Sequence, residues 1–178
     1  HETSRAFSAF DIVRYCLLGL VPVIAMVLAN NLIARENLDR TTWFVRALPV
    51  YPWLLLTVKL LIGLGVVLGF GLLLMWLAWF EATPGEDVES WMLLIVGART
   101  LLICSLFWAL AFLVSQFGGF RLPGFAAILF FAVSLQKPWF DWQRDLGPYQ
   151  IIDTQLFAHE LDDPGWWVMA QTLLLVVA

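Results

Sequence analysis

The run LLIGLGVVLGFGLLLMWLAWF, Leu60–Phe80, contains no charged residue. At ~1.5 Å per residue it is long enough to cross a hydrocarbon core of ~30 Å. It lies mid-chain and is too long for a signal peptide, so it reads as a membrane helix. The rest of the chain agrees. Of its 178 residues 61% are hydrophobic and 13% charged, with a mean hydropathy of +0.83. A soluble domain is about 45–50% apolar and about 25% charged, so the composition belongs to the membrane class.

Four further apolar segments flank this run, giving an expected all-α integral membrane bundle of five transmembrane helices. The first is about Tyr15–Ala34, with Pro22 inside it, where a kink is expected, and Asn30-Asn31 marking its end. Trp91–Phe117 follows the opening run and is interrupted by Arg99. The fourth, Leu122–Leu135, is short, and the fifth begins at Trp166. Within Leu60–Phe80, Gly65 and Gly69 form a small-xxx-small pair that allows close helix packing. No internal repeat or low-complexity linker divides the chain, so residues 1–178 read as a single transmembrane domain. The chain begins with His1 and stops within an apolar run, so it reads as part of a longer polypeptide. Cys16 and Cys104 both lie in apolar segments, where a small buried hydrophobe is the expected role.

Charge sets the expected orientation. The connection Arg35–Lys59 carries Arg35, Arg40, Arg46 and Lys59 against Glu36 and Asp39, and Arg121 adds a cation to the turn before the fourth segment. Glu81–Ser90 holds four acids and no base, and Lys137–Gly165 holds six acids against Lys137 and Arg144. The bias alternates as serial crossings require, placing Arg35–Lys59 in the cytoplasm and the two acidic stretches outside. Trp79, Trp91, Trp139, Trp166 and Trp167 fall at segment ends, as an interfacial belt would place them.

Arg35–Lys59 has chemistry of its own. Asp39 can cap a short helix whose first turn is Arg40-Thr41-Thr42, and Pro49 would end it. On that helix Trp43, Phe44, Ala47 and Leu48 share an arc opposite Thr42 and Arg46, although Arg40 falls inside the apolar arc. On these residues alone the stretch reads equally well as an interfacial anchor joining two crossings. The succession Arg35-Glu36, Thr41-Thr42, Leu48-Pro49-Val50 and Lys59 resembles the membrane (permease) subunit of type-2 ATP-binding-cassette exporters. The likeness covers about 25 residues plus the hydropathy plan of the whole chain. It departs from the family pattern at Arg40-Thr41, often Gly-Thr, and at Tyr51-Pro52, where a Ser-Arg-like pair is usual.

The resemblance implies a cytoplasmic coupling helix that docks on a separate ATPase subunit through Glu36, Arg40, Thr41, Thr42, Arg46 and Pro49. It implies a lysine, Lys59, opening the next helix, and six crossings in the full chain, of which the first is missing at the amino end. It also implies a second permease subunit, as a homo- or heterodimer, in the cytoplasmic (inner) membrane. Short helices in the outer stretch before the last crossing would fit the family. Pro148–Asp163 can form one in which Ile151, Ile152, Leu156 and Phe157 share a face.

Arg99 stands about eight residues into its segment, ~12 Å deep if that helix starts at Trp91. An ionisable group at such depth is a functional-site candidate, here for a polar export path. The plainer and preferred reading is snorkelling toward the outer surface, or pairing with Glu89 or Asp87. His159–Asp163, HELDD, offers one imidazole and three carboxylates, yet lacks the spacing of an EF-hand or a His-Glu-x-x-His site and reads as a solvated acidic loop. The apolar runs offer Ser105, Ser115 and Ser134 but no Asp, Glu or His to activate them, which disfavours an intramembrane enzyme. The only histidines, His1 and His159, lie outside mid-membrane positions, and no Gly-rich phosphate loop is present. The function that the resemblance implies is the permease of an exporter, with hydrolysis on a separate subunit; contact with membrane lipid is expected, and no cofactor, metal or nucleic acid. The alternative is a non-transporting membrane scaffold that assembles a partner.

Overall fold

The structure, a computed structural model, describes residues 3–34, 51–82, 90–117, 120–136, 148 and 166–177. Among these, the regular elements are all helical. Helix α1, Thr3–Ala29, passes into a π-helical turn, Asn30–Ala34; α2 is Pro52–Ala82, α3 Ser90–Gln116, α4 Arg121–Gln136 and α5 Trp166–Val177. Three stretches are long and apolar enough to cross a bilayer: Tyr15–Ile33, Trp53–Leu77 and Leu94–Gln116. This is the general character of a helical membrane protein. At 16 residues α4 is ~24 Å long, short of a ~30 Å hydrocarbon core.

Helix α3 ends within a residue of its expected boundaries, and α5 starts at the expected Trp166. The expected apolar segment Tyr15–Ala34 is matched by the span Tyr15–Ile33, and helix α1 extends upstream of it to Thr3, because Arg5, Asp11 and Arg14 limit an apolar run without breaking a helix. One expectation is corrected. Helix α2 begins at Pro52 rather than Leu60, so Lys59 stands in its third turn instead of opening it. Pro52 supplies the reason: its fixed φ suits a first helical position, where the missing N–H has no partner to lose. Helix α1 runs through Pro22, whose side chain is buried. It widens only at Asn30, whose side chain and that of Asn31 are exposed while Ala29 and Ile33 are buried.

Helix α3 packs against α1, α2, α4 and α5. It is the most enclosed of the three long apolar helices, and α2 is the least. The centre holds Ile103, Phe107 and Trp108 of α3 against Val21 of α1, Val67 of α2 and Ile128 of α4. Lipid tails are as apolar as these side chains, so burial from lipid gains little and fit between helices decides the packing.

That fit corrects the glycine expectation. A Cβ on Gly65 or Gly69 would meet nothing within 4 Å, so this pair faces away from the bundle. The packed face of α2 is Gly63, Val67 and Gly71 instead. A Cβ on Gly71 would come 2.6 Å from Cys104 Sγ, and one on Gly63 would collide with the Trp108 ring.

Candidate functional site

The expected ATPase-contact residues Glu36, Arg40, Thr41, Thr42, Arg46 and Pro49 lie outside the described residues, as do HELDD and Pro148–Asp163 apart from Pro148 itself. What the structure describes is the pair of elements on either side of the contact stretch. The π turn Asn30–Ala34 precedes it and packs against α2 and α3, and the first turn of α2 follows it. Tyr51 and Trp53 there are 73% and 64% exposed, so the chain enters α2 outside the packed core.

Arg99 is 3% exposed, beside Thr100, also 3%. A guanidinium so enclosed is held within the protein rather than laid along its outer surface. Its level follows from the antiparallel packing of α3 and α4. A Cβ on Gly124 would meet Val114 at 2.5 Å, and the rings of Phe107 and Phe131 are 6.3 Å apart. Continuing that register by one turn sets Ile103 beside Leu135, both buried. By that register Arg99 stands about one turn further, at a level just past the C-terminal end of α4. The last carbonyls of a helix lack amide donors and carry the negative end of its dipole, so a cation there is stabilising. Glu89 and Asp87, the carboxylates expected to pair with Arg99, lie outside the described residues. Another enclosed hydroxyl, Thr172, sits on α5, which also packs on α3.

Three serine hydroxyls donate within their own helices. Ser105 donates to the Leu101 carbonyl at 2.8 Å, Ser115 to Phe112 at 2.6 Å and Ser134 to Phe131 at 2.7 Å. Such bonds satisfy a hydroxyl in an apolar setting without any partner helix.

Trp108 was not among the expected site residues, since it lies in mid-run and not at a segment end. The signal was there: a tryptophan in mid-run must find an acceptor for its indole N–H. Trp108 Nε1 donates to the Leu60 carbonyl of α2 at 3.0 Å, its ring lies over Gly63, and Phe112 backs it at a centroid distance of 5.8 Å. This hydrogen bond reaches α2 one residue beyond Lys59, and the ring covers Gly63 one turn further on.

Comparison with protein-family models, curated proteins and solved structures returns no match for this chain.

Proposed function

We propose that the chain is the transmembrane subunit of a type-2 ATP-binding-cassette exporter, with the five helices crossing the membrane in series. The observation that carries the reading is the order of elements about Arg35–Lys59. An apolar helix closes in a π turn at Asn30–Ala34; Arg35-Glu36, Thr41-Thr42 and Leu48-Pro49-Val50 follow; an apolar helix then opens at Pro52 and carries Lys59. The alternating charge of the connections supports the same topology, with the basic stretch cytoplasmic and the acidic stretches outside. In this reading two permease subunits pair around a path. A separate ATPase subunit docks through Glu36, Arg40, Thr41, Thr42, Arg46 and Pro49. Its closure on ATP biases an inward/outward equilibrium of the helices.

The test is recovery of partners from mild detergent by the full-length chain, wild type beside Arg40→Glu/Arg46→Glu. The expected result is an ATPase that accompanies wild type and is lost with the double variant. A well-folded wild type that recovers no ATPase overturns the proposal in favour of a scaffold.

A further inference from the structure

Helix α2 divides at Gly63. No described side chain from Trp53 to Ile62 is buried, and Gly63, Val67 and Gly71 are the buried positions beyond. The inner arm, from Trp53 to Ile62, is thus ~15 Å of helix without a buried residue among those described. Alongside it on α3, Leu113 and Phe117 are 56% exposed each, while Ala111, Phe112 and Ser115 are buried. The π turn Asn30–Ala34 and α1 also touch α2, and on α3 the first attachment is Trp108, 2% exposed, which covers Gly63 with its ring and donates to the Leu60 carbonyl. Beyond it Gly71 meets Thr100 and Cys104, and Gly97 meets Met75, so α2 and α3 stay in register outward.

We infer that Trp108 is a positioning residue that fastens the inner arm of α2 to α3, so that displacement of the arm's end is delivered to α3. A loosely held arm rotating by roughly 10° about Gly63 would shift Pro52 by ~3 Å and leave α3 in place. With ring and hydrogen bond engaged, the arm cannot turn about that point without carrying Trp108. Helix α3 touches α1, α4 and α5, so its movement reaches the whole bundle. The inference rests on the exporter reading only for the source of the displacement.

Two measurements separate the claims. In the first, the full chain alone, with Cys16→Ser and Cys104→Ala, carries spin labels at Leu56→Cys and Leu113→Cys, or at Leu73→Cys and Leu94→Cys, in lipid nanodiscs. Trp108→Phe, which keeps an aromatic ring and loses the N–H, should at least double the width of the inner distance distribution. Trp108→Ala should widen it further, and the outer pair should keep its wild-type width. An inner pair unchanged in both variants, or both pairs broadening together, overturns the clamp. In the second, labels at Leu20→Cys and Leu94→Cys report α1 against α3 with the co-purified ATPase bound and ATP plus vanadate added. The wild-type distance should shift, and Trp108→Phe should retain the ATPase yet not shift. A shift that survives Trp108→Phe overturns the delivery of movement to α3. If no ATPase co-purifies, the exporter reading fails while the first measurement still decides the clamp.

Discussion

A glycine's meaning in this chain depends on which side of α2 it occupies. Gly63 and Gly71 admit Trp108 and Cys104, whereas Gly65 and Gly69 have open space where a side chain would go. Leucine at Gly63 or Gly71 should therefore cost about 1–3 kcal/mol through overpacking. The same change at Gly65 or Gly69 should stay within about 0.5 kcal/mol, as at any uncrowded site. Reversible unfolding in mixed micelles would measure both, and equal losses at all four positions would contradict the assignment of faces. Arg99 yields a second expectation. If its cation steadies the C-terminal end of α4, Arg99→Leu should loosen that end by about 1–2 kcal/mol and Arg99→Lys by less. A Gln136→Cys thiol should then react with a water-soluble maleimide about tenfold faster in the leucine variant, 1.4 kcal/mol being tenfold. At this scale the sequence was only partly legible. Arg99 stood out because charge at membrane depth is costly, but the glycine pair chosen by spacing was the wrong one. Spacing records that two small residues share a face, and it does not record which face meets a neighbour.

At the scale of the element, boundaries set by chemistry that stops a helix were legible, and boundaries set by charge were not. Helix α3 was read to within a residue. The start of α2 was misplaced at Leu60, since a lysine is compatible with helix and Pro52 was the true opening signal. The switch to π geometry at Asn30 left only the asparagine pair as a trace in the sequence. Helix α2 also predicts how lipid is distributed around the bundle. Leu61, Val66, Leu72 and Leu73 are 57%, 49%, 48% and 51% exposed, while Val67 is 1% exposed. Spin labels at the first four should show high accessibility to oxygen dissolved in the bilayer, and a label at Val67 low accessibility. Uniform accessibility along the helix would mean that α2 does not sit on α3 as described.

For the whole molecule, the class of fold was the most legible property, because an uncharged run the length of Leu60–Phe80 has few other homes than a bilayer. The arrangement of helices was not legible, since near-uniform apolarity leaves no stripe to tell lipid from protein. Charge alternation gives an expectation for sidedness. In sealed right-side-out vesicles Phe80→Cys should react with an impermeant thiol reagent, whereas Tyr51→Cys and Phe120→Cys should react only after the membrane is opened. The reverse pattern would invert the proposed topology. The central place of α3 has a consequence in the order of synthesis. The ribosome delivers α1 and α2 before α3 exists, so Gly63 and Gly71 first meet lipid, and the Leu60 carbonyl waits for its indole donor. Consolidation must await the third helix, so a nascent chain halted after Ala82 should remain open to proteases and one halted after Phe117 should not.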